Sequence, residues 1–284
     1  MNRADSIEIP AEITRYLGEG DLFQQVMHLQ GKAFRDVRGR KTIQVKLGNN
    51  SYFIKQHFGV GWAEIFKNLL TLRMPILGAK TEKLAIQKLD EIGIATTPLV
   101  AFGEQGCNPA KLQSFLITKD LGDIVSLEEL CATWKQDSPT LALKRRLIIA
   151  VAELARKLHQ SGMNHRDFYL CHLCLDAAAF HKGHIHLYLI DLHRMRMHQQ
   201  PDIQDNMKDM AALYFSSMDV GLSARDYLRF RHYYANSKNS KNSNKPDAVF
   251  WQKVITRANK LYAKFHSDKF QNRLQLEKNA LNHD

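Results

Sequence analysis

The sequence predicts an α+β chain in two lobes, a small β-rich N-lobe over residues 1–118 and a larger helical C-lobe over residues 119–284. Three observations predict it. Residues 42–47 and 51–55 alternate apolar and polar side chains with the period of two that a half-buried strand requires. Residues 141–160 carry Leu143, Leu147, Val151, Leu154 and Leu158 instead, the 3.6-residue stripe of an amphipathic helix. A polar loop, residues 164–172, is then followed by an apolar strand that ends in Asp191.

The elements follow in order. Residues 42–47 and 51–55 make a hairpin through Gly48, Asn49 and Asn50, and its second strand ends at Lys55. Residues 56–77 form an insert rich in Gly, Trp and basic residues. Residues 78–89 read as a helix with Leu84, Ile86 and Leu89 buried and Glu82 near its start, stopped by Gly93. Residues 97–103 and 114–118 supply two further strands. The long helix 141–160 ends at Gly162, and the polar loop, a strand over 185–190 and a helix over 207–218 come after it. Residues 236–245 hold only Asn, Ser and Lys and read as a mobile loop, beyond which helical periodicity resumes at Phe250. There is no internal repeat.

Composition narrows the function classes. Hydrophobic residues make up 44% and charged residues 24%, as in an ordinary globular protein. No apolar run is long enough to cross a bilayer, and the first residues lack the apolar core of a secretory signal. Four cysteines without a framework spacing read as reduced thiols, so the expectation is a soluble cytoplasmic protein. Forty Lys and Arg against 29 Asp and Glu give +11, which calls for an acidic partner. Without a zinc-finger spacing, an RNA-binding motif or a basic zipper, that partner is not nucleic acid. The Cys171-His172-Leu173-Cys174 run falls short of a structural zinc pattern.

The loop and the strand after it carry the chemistry. A kinase-type phosphotransferase places a catalytic aspartate after His-Arg, a metal ligand five positions on, and a second metal aspartate at the end of the next strand. Here Asp167 follows His165 and Arg166, His172 takes the five-on position, and Asp191 ends the strand. Asp167 is expected to orient or deprotonate the attacking hydroxyl, and Asp191 to hold the Mg2+ that bridges the phosphates of ATP. Lys55 is the candidate for pairing with those phosphates, with Glu82 holding it in place. Taken singly, Lys55 would read as a strand-edge lysine, Glu82 as a helix N-terminal carboxylate and Asp167 as a turn residue. Their order makes the combined reading the better one. His172 departs from the usual oxygen ligand and is expected to contact phosphate rather than metal. The phosphate loop is degenerate: Gly31 lies before the hairpin without further glycines, with Lys32 or Arg35 supplying charge in place of amide donors.

With these residues assembled, the chain resembles the lipopolysaccharide core heptose kinase family. The resemblance runs through Leu29-Gln30-Gly31, Arg40-Lys41-Thr42, Tyr52-Phe53-Ile54-Lys55, residues 72–79, Asn164-His165-Arg166-Asp167-Phe168-Tyr169, Ile190-Asp191-Leu192-His193-Arg194 and residues 213–218. It implies a protein-kinase-like fold, ATP and Mg2+ as cofactors, and a lipid-linked heptose of the lipopolysaccharide core precursor as acceptor. It also implies peripheral attachment at the cytoplasmic face of the inner membrane, and Asp209 as a structural aspartate anchoring the catalytic loop. The basic surface then suits an anionic leaflet, with Trp62 and the basic insert engaging it. An acidic carrier protein is a second partner that surface would suit. The competing readings are a protein or small-molecule kinase of the same fold, and a pseudokinase scaffold.

Overall fold

The computed structural model describes residues 5–37, 39–62, 78–235 and 248–281. Most of the 56–77 insert and the whole of the 236–245 stretch lie outside the described residues. The chain divides into two compact units: Met1–Ile124 with Tyr188–Met195, and Val125–Leu187 with Arg196–Asp284.

The first unit is built on a six-stranded antiparallel sheet. Its strands are β1 (Ser6–Glu8), β2 (Lys32–Val37), β3 (Arg40–Leu47), β4 (Asn50–His57), β5 (Leu99–Gln105) and β6 (Gln113–Lys119), in the spatial order β1-β5-β6-β4-β3-β2. Alternation sorts the two faces. Ile43 pairs with Ile54 and Ile54 with Ile117, and all three are fully buried on one face. Ile13, with Phe23, Val26 and Met27 of the helix Leu22–His28, covers that face. Asp21 caps this helix by accepting from Phe23 N at 2.9 Å. Gln56, 1% exposed, donates from Nε2 to Val26 O at 2.9 Å and Leu29 O at 3.2 Å, fastening the helix end to β4. The other face of β3 and β4 carries Arg40, Thr42, Phe53, Lys55 and His57.

β2 departs from simple alternation. Lys32 faces Gln44 and Ala33 faces Ile43, but Arg35 faces Thr42, so the register shifts by one residue at Phe34. This bulge keeps Lys32 and Arg35 on the same face although they are three apart. Sequence reading put a phosphate loop at this segment; the segment is strand from Lys32 onward. Gly31 has its own packing reason, because a Cβ there would come 2.3 Å from Gln44 O.

The helix Lys80–Glu91 buries Glu82, Ala85, Ile86 and Leu89, a single face at helical spacing. Leu84, expected in the core, is 42% exposed: Ala85 and Ile86 occupy the inward positions and turn it outward. In the second unit, Thr140 caps the helix Leu141–Gln160, which buries Leu147, Ile148, Val151, Ala155 and Leu158 and packs on the helix Ala224–Ala235. The helix Ile203–Ser217 begins earlier than the apolar pattern suggested, because Asp202 accepts from Gln204 N and Asp205 N at 2.8 and 2.9 Å. It packs on the helix Ala248–Phe265. Among the described residues no helix is long and apolar enough to cross a membrane.

Candidate functional site

In the first unit, Lys55 sits near the end of β4, opposite Thr42 on β3 and Leu116 on β6. On this face its ammonium meets Glu82 Oε1 of the helix Lys80–Glu91 at 2.5 Å, and the Glu82 side chain is 3% exposed. A carboxylate this buried persists only with a cation against it. Its second oxygen, Oε2, has no hydrogen-bond partner among the described residues.

His57, two residues on from Lys55, shares its face and is 4% exposed. Burial first, then the charges of Arg40, Lys55 and His193, bring its imidazole down to about 3, so it is neutral near pH 7.

Asp191 lies just beyond the strand Leu187–Leu189. Leu189 N donates to Ala95 O at 2.9 Å and Thr96 Oγ1 donates to Leu189 O at 2.6 Å, which holds this strand to the loop after the helix. The helix in turn packs on the turn Leu192–Arg194. Asp191 accepts from His193 Nδ1 through Oδ1, and a third of its side chain (33%) remains exposed. Its carboxylate is the hard oxygen donor that magnesium prefers, so the residue fits such an ion.

The second unit holds the loop expected from the sequence to be catalytic. Met163–Asn164 pairs antiparallel with Arg196–Met197 and delivers the chain into it. Asp209, 1% exposed on the helix Ile203–Ser217, accepts from His165 N and Arg166 N at 2.7 Å each. Its Oδ2 also meets His159 Nε2 at 3.2 Å, while His159 Nδ1 meets the Tyr234 hydroxyl at 2.7 Å. The anchoring aspartate implied by the resemblance is therefore Asp209, and the His159–Tyr234 buttress behind it escaped sequence reading.

Asp209 holds a strained turn. Arg166 (φ 71) and Asp191 (φ 63) are the non-glycine residues at positive φ among the described residues. Such a conformation costs about 1–2 kcal/mol and persists where surrounding bonds over-determine it. Asp209→Ala would strand the buried His165 amide and the partly buried Arg166 amide, and is expected to cost about 3 kcal/mol of stability together with most of the activity. Urea denaturation checks this; an unchanged midpoint would mean the loop is held by other contacts.

Asp167 follows directly. Its carbonyl accepts from Tyr169 N at 2.9 Å and from His172 Nδ1 at 2.7 Å. A carbonyl can only accept, so Nδ1 of His172 carries a proton, and in the neutral ring Nε2 keeps its lone pair. His172 thus braces the loop whatever else it touches.

Among the described residues, a cluster away from these has metal-like composition. His198, Asp202 and Asp205 bring a ligand atom each within 4.8 Å of one another. Asp205 is already engaged by Lys208 at 2.7 Å, Arg196 at 3.1 Å and His198 at 3.3 Å. Burial raises its pKa, but Lys208 and Arg196 outweigh that and bring it to about 2. These contacts make it an ion-pair clamp on the strand Arg196–Met197. No disulfide joins the four cysteines, and burial lifts the thiols of Cys131 and Cys174 to about 12 and about 11.

A family model described as "Lipopolysaccharide kinase (Kdo/WaaP) family" matches residues 24–234. The chain is 43% identical over 215 residues to "Lipopolysaccharide core heptose(I) kinase WaaP" of Pseudomonas aeruginosa, covering 75% of this chain and 80% of that one. The protein of the same description from Escherichia coli K12 is also 43% identical, with 75% and 81% covered. A solved structure titled "WaaP in complex with acyl carrier protein" superposes with a TM-score of 0.74 at 34% identity, covering 90% of this chain and 99% of that chain.

Proposed function

This chain belongs to the lipopolysaccharide kinase (Kdo/WaaP) family, and from that premise we propose that it moves the γ-phosphoryl group of ATP to a hydroxyl of heptose I in the lipopolysaccharide core. The observation that carries the reading is that the matched stretch, residues 24–234, contains Lys55, Glu82, Asp167, Asp191 and Asp209 together.

Each residue has a part in that reaction. Lys55, held by Glu82 at 2.5 Å, neutralises the nucleotide phosphates. Asp167 accepts the proton of the heptose hydroxyl as its oxygen bonds to the γ-phosphorus. The bond from that phosphorus to the β,γ-bridging oxygen breaks, and ADP leaves. His165 and Arg166 shape the loop, and His172 braces it through the Asp167 carbonyl. Asp191 would hold Mg2+, which when bound offsets the charge on the β- and γ-phosphate oxygens.

Two partners accompany this reading. An acyl carrier protein is supported by the solved relative's title and by the +11 charge, which suits an acidic surface. It is supported too by an apolar cavity of about 90 Å³ in the helical unit, lined by Leu127, Trp134, Leu147, Leu213 and Trp251 among others. The anionic inner leaflet is the other, with Trp62, 50% exposed, as a contact.

The test offers purified protein and labelled ATP either a heptose-bearing core acceptor or peptides. Label on the core acceptor, with the phosphate traced to heptose I, is expected. Label on peptides alone would replace the proposal with a protein kinase of the same fold.

A further inference from the structure

Kinases ordinarily cover the nucleotide phosphates with backbone amides of a glycine-rich loop. This chain has no such loop, yet one face of its sheet carries more positive charge than its acids neutralise. Arg35 pairs across β2–β3 with Thr42, and Thr42 across β3–β4 with Lys55. Arg40 pairs across β3–β4 with His57. Directly opposed residues share a face, so Arg35, Arg40, Lys55 and His57 all lie on the side away from the core.

The acids near this face already have partners. Glu82 is bonded to Lys55, and Asp191 to His193. Arg40 is half-buried, and its Nε makes no hydrogen bond among the described residues. Neither does His57 Nε2, on a side chain that is 4% exposed, nor Glu82 Oε2. Arg40 Nε can only donate, and a buried donor left in this state marks a place where an anionic acceptor completes the bonding. The backbone beneath Arg40 is fixed: Gly39, at φ 79, accepts from Phe58 N at 2.9 Å, and a Cβ on it would come 2.6 Å from Gly59 O.

We propose that Arg40, flanked by Arg35, is a phosphate ligand of the nucleotide site, its guanidinium standing in for the missing loop amides. This assignment rests on the kinase reading above. The ligand it fits is a nucleoside triphosphate, because two guanidinium groups beside Lys55 exceed what a monophosphate needs. A guanidinium stays charged at neutral pH; burial and then Arg35 lower the Arg40 pKa, against the opposing pull of Glu82 and Asp191.

Titration calorimetry of the full chain with ATP and with AMP tests it. Arg40→Gln is expected to weaken ATP binding by about ten- to a hundredfold and AMP binding by about twofold or less. Arg40→Lys, which keeps the charge but loses the fork, is expected to recover part of the ATP affinity. Unchanged ATP affinity in folded Arg40→Gln overturns the assignment, as does an equal loss for AMP and ATP with a lowered Tm, the signature of a packing role. If Arg40→Gln does not fold, Arg40→Lys decides alone: ATP affinity equal to wild type overturns the assignment, and a loss confined to ATP supports it. Wild-type protein that binds neither nucleotide overturns the phosphotransfer reading as well.

Discussion

An Asp167→Ala variant is expected to lose at least about a hundredfold in kcat while keeping its affinity for ATP. The argument rests on which atoms of this residue do what. Its backbone carbonyl is the one gripped by His172 Nδ1 and Tyr169 N, and alanine keeps that carbonyl. The strained step at Arg166 stays tied to Asp209. The change removes the carboxylate, the proposed proton acceptor, and keeps these backbone bonds of the loop. Steady-state turnover of the core acceptor, read beside the melting temperature, separates the two. An unchanged kcat would leave Asp167 without a chemical role and favour a scaffold.

Lys55→Met should be nearly as damaging, for a different reason. It removes the cation from Glu82, a carboxylate 3% exposed whose other oxygen already lacks a partner among the described residues. Removing one member of a buried pair costs about 3 kcal/mol of stability; separately, loss of the cation that would pair with the phosphates is expected to cost about a hundredfold in kcat/KM for ATP. Lys55→Met combined with Glu82→Gln removes the stranded charge. The double variant is therefore expected to regain much of the stability and none of the activity. Recovery of activity along with stability would mean that Lys55 serves the fold alone.

Much of this was legible from residue order, and the misses have identifiable causes. The β3–β4 hairpin and the helix Leu141–Gln160 follow from periods of two and 3.6, because one face of each is buried and the other is not. Lys55 and Glu82 were paired from sequence alone and lie 2.5 Å apart. Leu84 was misplaced because hydrophobicity was weighed without helical phase, and its neighbours Ala85 and Ile86 hold the inward positions. The short helix Leu22–His28 completes barely two turns and leaves little periodic signal. Arg40 entered the sequence reading as part of the Arg40-Lys41-Thr42 segment, with no role of its own. Its position opposite His57 is a matter of register, which depends on strand pairing and not on local pattern. His159 escaped for a related reason, since its partners Asp209 and Tyr234 are 50 and 75 residues away.

The one-residue surplus at Phe34 also bears on how copies of the protein behave beside one another. β2 is the last strand of its sheet, and β1, at the far side, is three residues long. An outermost strand offers a row of amides and carbonyls that a second chain can extend, which is how sheets stack into aggregates. With an extra residue in that row, an incoming strand falls out of step after two or three bonds. The same irregularity that lets Lys32 and Arg35 share a side therefore keeps the sheet from growing, and a chain shortened at Phe34 would have a straighter and stickier edge.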